Sequence, residues 1–168
     1  EAHAGTLSFE LSWRNHRLIV NCGLPAVGRE TWRQVTRATA AHSTVTLNDT
    51  SSCSFGEARM VRNLLFGVPI TAGPRNVMAR REDTEDGIVL NAHHDGYADC
   101  FGIVHNRVLA LSADGEMLRG EDSFEPAGGG ALPAGTPDEI AVRFHLHPSV
   151  KANRPSDGHA VMLVLPDR

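Results

Sequence analysis

Hydrophobic alternation with a period of two runs through most of this chain and constrains its fold more than any other feature. Between Thr6 and Trp13, apolar and polar residues alternate without a break, which is typical of a strand with one buried face. Similar short segments occur at 16–22, 43–49, 88–92, 98–105, 107–113, 116–119, 139–147 and 159–165. About eight to ten short strands with frequent turns indicate an all-β chain. We predict an antiparallel two-sheet β-sandwich with short helices or loops.

Turn signals separate these segments. Asn106 is predicted to turn a hairpin between 98–105 and 107–113, and Asp114-Gly115 is a second strong turn signal. The stretch 126–137 is rich in Gly, Pro and Ala and is predicted to be a loop. Helical spacing of apolar residues occurs only in 29–41 and 57–65, so each is expected to be a short helix or a loop.

Composition excludes several classes of protein. The chain has 168 residues, 20 of them acidic and 16 basic, for a net charge of −4. Its length suggests one domain, and the mildly acidic balance argues against a nucleic-acid binder. No apolar run approaches the ~20 residues that cross a bilayer, so no membrane partner is expected. The three cysteines contain no CxxC pair, so they predict buried thiols rather than disulfides or a thiolate zinc site.

Nine histidines are the most unusual feature of the composition. His145 and His147 are predicted to project from one face of a strand, where they form either a metal-binding pair or part of a solvated face. His93-His94-Asp95-Gly96-Tyr97 is a second polar cluster that could be a turn. Tyr97 is the only tyrosine, so any proton transfer by tyrosine within this chain would have to use it.

Arginines concentrate in two places, Arg29/Arg33/Arg37 and Arg75/Arg80/Arg81. Either group could bind an anionic sugar through paired hydrogen bonds to its carboxylate. Ordinary surface arginines are the alternative.

Several segments together resemble the heparinase II/III-like family. They are HAGTLSFEL at 3–11, RLIVNCG at 17–23, TAAHST at 39–44, HDGY at 94–97, HNR at 105–107, LRGED at 118–122 and RFHLHP at 143–148. Together these motifs extend the resemblance over nearly the whole chain, and their combined order makes it specific.

The resemblance implies a polysaccharide lyase that cleaves uronic-acid-containing glycans by β-elimination. Family members have an α/α-toroid domain followed by a β-sandwich, with the active cleft between them. This chain would be the C-terminal β-sandwich alone, over residues 1–168, a fragment of a longer protein that lacks the toroid. Its expected partners are an acidic polysaccharide and the upstream toroid, and a periplasmic location is implied.

The resemblance also implies site residues. The family's structural zinc ligands match His3, Asn21 and His42, and its catalytic histidine position matches Glu1. Asn21 replaces a carboxylate, and Gly5 stands where the family places a further aspartate. The three matched residues are therefore expected to form either a zinc site or a hydrogen-bonded cluster.

The main hypothesis is that the chain forms one wall of the active cleft of a lyase and is inactive as an isolated fragment. Glu1 and Tyr97 are the catalytic candidates, and the substrate-binding candidates are Arg75, Arg80, Arg81 and His94. One alternative is a non-catalytic carbohydrate-binding or structural module, for which Trp32 would be the stacking platform. Another is a small metal-dependent enzyme built on His145 and His147.

Overall fold

The computed structural model describes residues 2–23, 30–56, 68–156 and 158–166, and this part of the chain is an all-β fold as predicted. Within these described ranges, two helices, α1 (Glu30–Arg37) and α2 (Ala98–Phe101), and a 3₁₀ turn (Thr39–Ala41) interrupt the strands. The strands are β1 (Leu11–Trp13), β2 (His16–Val20), β3 (Val45–Leu47), β4 (Ser54–Phe55), β5 (Ile70–Ala72), β6 (Val77–Thr84), β7 (Gly87–His94), β8 (Ile103–Ser112), β9 (Leu118–Pro126), β10 (Ile140–Val142), β11 (His145–Leu146), β12 (Lys151–Asn153) and β13 (Met162–Val164).

The first layer of the sandwich is a four-stranded antiparallel meander in the order β6-β7-β8-β9. Its turns follow from local chemistry. Gly87 has a φ of 139°, and a Cβ there would lie 2.0 Å from the Leu111 carbonyl oxygen. Asp114 accepts the backbone N–H of Glu116 at 3.0 Å, so the predicted Asp114-Gly115 turn returns the chain into β9.

The second layer consists of shorter pieces, β1-β2-β11 and β3-β10. The segment predicted as one strand at 139–147 divides between them, because Ile140–Val142 pairs with β3 and His145–Leu146 pairs with β2. The core between the layers contains Val45, Leu47, Tyr97 and Ile103, with Phe101 and Phe124 packed against them. Side chains of both layers therefore bury a common apolar centre, as in a sandwich.

The first predicted strand is only partly correct. Leu7 has a φ of 57°, so the chain turns at 6–7 and becomes a strand only at Leu11. The Leu7 carbonyl accepts a hydrogen bond from Arg107 at 2.9 Å, which holds this turn. Trp13, at the end of this alternating segment, is 43% exposed, and Arg14 stacks over its ring at 4.3 Å.

The predicted hairpin at Asn106 is wrong. Residues 103–112 form one continuous strand, and Asn106 lies within it, paired with His93 on one side and Ser123 on the other. The turn lies earlier, where α2 ends at Gly102 with a φ of 67°. Alternation alone did not distinguish this short helix from a strand, because one helical turn is too short to show its period.

The two predicted helical segments have different outcomes. The first is a helix at Glu30–Arg37 followed by the 3₁₀ turn, and the second lies outside the described residues. Trp32 is 63% exposed on α1. Among the described helices, none is long and apolar enough to span a membrane.

Candidate functional site

His3 and His42 lie together although 38 residues separate them in sequence. Their rings meet edge to face, with centroids 5.3 Å apart and planes at 88°. Asn21 is beside them, because its Oδ1 accepts the backbone N–H of Ser43 at 2.8 Å. The structure thus brings the three matched positions into one neighbourhood, with His42 buried and His3 partly exposed.

Backbone contacts at the end of α1 position His3. The N–H of Ala4 donates to the Arg37 carbonyl at 2.8 Å, and the Thr39 hydroxyl donates to the Ala4 carbonyl at 2.7 Å. Gly5 then passes so close to His42 that a Cβ would lie 2.5 Å from the ring. Any side chain at position 5, including the family's aspartate, would displace His42.

His42 is held in one orientation and is neutral near pH 7. Its Nδ1 donates to the Ala38 carbonyl at 2.9 Å, so Nε2 carries the lone pair. Burial lowers the pKa of His42; the neighbouring His3 and His145 lower it further, and the hydrogen bond to Ala38 opposes these effects.

These residues do not fit a zinc site. Two imidazoles and one neutral amide form the donor set, and the Asn21 oxygen already accepts the Ser43 N–H. Structural zinc takes four ligands dominated by thiolate, imidazole and carboxylate. No group of three or more His, Cys, Asp or Glu residues in the described part of the chain is arranged to hold a metal.

We predict that purified protein contains well under one zinc per chain and that Asn21→Asp raises this content. Aspartate keeps an acceptor for Ser43 and adds the charge that zinc favours. Elemental analysis after zinc loading and desalting measures the effect. Asn15→Asp, in the exposed turn between β1 and β2, is the matched control. A stoichiometric zinc in the unsubstituted protein contradicts the prediction.

His3 lines an open cleft of about 420 Å³. The cleft lies between the N-terminal segment and the β4-β5 pair, and its polar groups include the hydroxyls of Thr6 and Thr71. The remaining lining residues are Cys53, Ile70, Ala72, Gly73, Pro74 and Val77. The cleft thus presents an imidazole and hydroxyl groups beside apolar side chains, with polar and apolar surface in about equal parts.

The predicted substrate-binding arginines are exposed and do not converge. Each lies within 4 Å of a carboxylate: Arg75 with Asp99 at 3.2 Å, Arg80 with Glu82 at 3.3 Å, and Arg81 with Asp83 at 2.6 Å. Arg80 and Arg81 are consecutive on β6, so they point to opposite faces of the sheet.

Tyr97 lies in the core with no exposed surface. Its hydroxyl donates to the Val45 carbonyl at 2.7 Å, and burial raises its pKa above the usual value. Its predicted role in proton transfer stays a prediction, and this position gives it no support. Glu1, the other catalytic candidate, lies outside the described residues.

His94, predicted to bind substrate, instead begins a buried chain of hydrogen bonds. The Gly96 N–H donates to His94 Nδ1 at 3.0 Å, so the ring proton is on Nε2, which lies 3.2 Å from His105 Nδ1. The second nitrogen of His105 donates to Asp122 at 2.7 Å. His94 and His105 are 1% and 0% exposed.

Arg107 completes this buried network. It donates to both carboxylate oxygens of Asp122, at 2.7 and 2.9 Å, and to the carbonyls of Leu7 and Ser43. Burial alone would raise the pKa of Asp122, but the hydrogen bonds from His105 and Arg107 outweigh it and lower that pKa. The network joins the main sheet to the two segments that carry His3 and His42.

Sequence reasoning missed this network, although one signal could have revealed it. If residues 103–112 are read as one strand, alternation places His105 and Arg107 on the same face as Ile103. Two basic residues on a core-facing row require a buried partner.

His145 and His147 do not form a metal pair in the structure. His145 lies 2.9 Å from the Ala40 carbonyl and 3.6 Å from the Cys22 sulfur. His147 contacts the Ser149 hydroxyl at 2.8 Å. The two imidazoles therefore have separate partners.

Comparisons with known proteins agree with this architecture. The sequence model of a family described as "Heparinase II/III-like, C-terminal" matches residues 1–168. FtsZ-localized protein C from Caulobacter vibrioides is 34% identical over 167 residues, which cover 96% of this chain and 28% of that protein. No solved structure matches significantly. The chain thus corresponds to a little over a quarter of its curated relative's length.

Proposed function

Because the chain belongs to the heparinase II/III-like family, we propose that it supplies one wall of a cleft that binds an acidic polysaccharide. In this proposal the chain is the β-sandwich domain of a longer protein, and an upstream α/α-toroid domain supplies the opposite wall. The share of the curated relative that lies beyond the matched region leaves ample length for such a domain.

The exposed edge of His3 in the 420 Å³ cleft is the observation that carries this proposal. Imidazole and threonine hydroxyl groups donate to and accept from sugar hydroxyls, and the apolar side chains beside them accommodate the C–H faces of a sugar ring. His42 supports His3 from below through the edge-to-face contact, so the polar group that faces the cleft has a defined position.

Lyase chemistry would need the second wall. β-Elimination requires neutralisation of the uronate carboxylate, removal of the C5 proton and protonation of the leaving oxygen. The described lining of the cleft has an imidazole but no arginine, lysine or tyrosine. We therefore propose that the toroid contributes the missing groups and that the isolated sandwich does not cleave uronate glycans.

Incubation with uronate glycans tests this proposal, followed by the ultraviolet absorbance of the unsaturated sugar. The isolated domain is expected to give no product, whereas the longer protein is expected to give product that His3→Ala reduces. His16→Ala, on β2, is the matched control. Turnover by the isolated sandwich would refute the two-wall account.

A non-catalytic carbohydrate-binding or structural module is the second candidate. Two observations favour it: Asn21 replaces a charged ligand, and Tyr97 is enclosed in the core. The relative from Caulobacter is named for localisation to FtsZ rather than for an enzymatic activity. Glycan binding without cleavage by the longer protein would select this candidate.

A further inference from the structure

A thiol and an imidazole meet beside the 3₁₀ turn. Cys22 Sγ lies 3.6 Å from His145 Nδ1, although 123 residues separate the two in sequence. β2 leads to Cys22 and β11 carries His145, and these two strands pair antiparallel. The sequence predicts buried thiols, yet Cys53 alone is buried, whereas Cys22 is partly exposed and Cys100 is exposed. Cys22 is therefore partly accessible and lies next to a base.

The backbone sets the tautomer of His145. Its Nε2 lies 2.9 Å from the Ala40 carbonyl, and a carbonyl only accepts, so Nε2 carries the ring proton. In the neutral imidazole Nδ1 then has the lone pair and accepts the hydrogen bond of the Cys22 thiol. A nucleophile, a base that faces it and a group that orients the base are the parts of an activated cysteine.

Backbone hydrogen bonds hold both members of the pair in place. The Cys22 N–H donates to the Ala41 carbonyl at 2.9 Å, on the same turn that orients His145. The His145 N–H donates to the Ser43 hydroxyl at 2.9 Å, and that hydroxyl donates to the Val20 carbonyl at 2.7 Å. Because the main chain is fixed on both sides, the sulfur and the ring nitrogen are positioned before any reagent arrives.

We propose that Cys22 is a modification site that exchanges with small disulfides, with His145 as its proton acceptor. The thiol proton passes to His145 Nδ1, and Cys22 Sγ attacks one sulfur of the disulfide. A new S–S bond forms as the old one breaks, so the Cys22 sulfur is oxidised and the leaving sulfur is reduced. The leaving thiolate then takes the proton from His145. The products are a mixed disulfide and one free thiol.

The other two cysteines of the chain serve as internal references. Cys100 is exposed and Cys53 is buried, so exposure alone predicts that Cys100 reacts fastest and Cys53 slowest. Burial also raises the pKa of the Cys53 thiol, which keeps it protonated and unreactive while the chain is folded. The proposal instead places Cys22 ahead of Cys100.

Incubation of the reduced chain with oxidised glutathione at pH 7, stopped with acid, tests the proposal. Peptide mapping by mass spectrometry gives the rate of mixed-disulfide formation at each cysteine. Cys22 is expected to react about tenfold faster than Cys100, because an unassisted thiol is only a few per cent ionised at this pH.

Two histidine variants separate the base from its surroundings. His145→Gln removes the proton acceptor and should slow Cys22 about tenfold, to the rate of Cys100 or below it. His147→Gln is the matched control, because that imidazole contacts the Ser149 hydroxyl instead, and it should leave the rate of Cys22 unchanged. Continued protection of Cys53 shows that each variant is folded.

Each possible result decides the proposal. Faster reaction at Cys22 than at Cys100, lost in His145→Gln and kept in His147→Gln, supports it. A rate at Cys22 no higher than at Cys100 in the unsubstituted chain overturns it, and so does an unchanged rate in a folded His145→Gln variant. If Cys53 becomes reactive in that variant, the order of the rates in the unsubstituted chain decides alone. None of these results depends on glycan binding.

Discussion

Asp122→Asn is expected to lower the free energy of unfolding by about 3–5 kcal/mol. Within the described part of the chain, Asp122 is the one acidic partner of the buried Arg107, and it also accepts a hydrogen bond from His105. An asparagine leaves the guanidinium, which is 4% exposed, without a counter-charge in the interior. Removing one member of a buried ion pair costs far more than the pair itself contributes.

Chemical denaturation with urea measures this loss as a lower midpoint with an unchanged slope. Asp83→Asn is the matched control, because Asp83 makes a similar bidentate pair with Arg81 on the surface. Its midpoint should stay close to that of the unsubstituted protein. Equal midpoints for the two variants would show that the buried ion pair stabilises the fold no more than the surface ion pair does.

The same substitution is expected to loosen the His3 cleft. Arg107 donates to the carbonyls of Leu7 and Ser43, which adjoin the segments of His3 and His42. Without Asp122 to orient the guanidinium, both hydrogen bonds weaken. Hydrogen exchange should accelerate in 2–9 and 42–45 before it accelerates at the far end of β6, residues 81–84, which pairs with 87–90 and not with His94.

Stability is expected to fall between pH 6.5 and pH 4, mainly because of His94. Burial in the core, together with a smaller effect of the neighbouring His105, lowers the pKa of His94 from 6.5 to about 4. In this interval the unfolded chain binds a proton at position 94 and the folded chain does not. The contribution of the neutral His94 to the free energy of unfolding is therefore complete above pH 6.5. It is lost as the pH falls towards 4, and the loss is about 3 kcal/mol in total.

His94→Gln isolates this effect, because glutamine keeps a donor towards His105 and does not titrate. The variant should be less stable at pH 7, yet its unfolding free energy should change less between pH 6.5 and 4. Some dependence will remain, because burial lowers the pKa of His42 in the same direction. If plots of unfolding free energy against pH are parallel for the two proteins, His94 is excluded as the source of the pH dependence.

Alternation predicted the class of fold but misplaced several boundaries. Of the period-two runs, 16–22 is a strand over 16–20, where it forms β2, and 88–92 lies wholly within β7. The run at 98–105 failed because the four residues of α2 have no period to detect. The first strand began late because Leu7 adopts a left-handed conformation, held by a side chain 100 residues away.

Motif order predicted which residues would meet, and only in part what they do. His3, Asn21 and His42 come together as expected. Tyr97 and His94 lie inside the sandwich, because a polar residue near a turn signal can belong to the core when a buried partner accepts its hydrogen bonds. Nothing local to Asn106 indicated a mid-strand amide whose Nδ2 is buried without a hydrogen-bond partner.

The amino-acid sequence by itself determined the all-β class, the family and the Asp114-Gly115 turn, because these depend on local alternation, residue order and turn chemistry. The tertiary structure alone decided that Asp122 pairs with Arg107, that His94 is buried and that Asn106 faces outward. Those outcomes depend on which strands become neighbours and in what register. A shift of one residue in the pairing would move each of these side chains to the other face of the sheet.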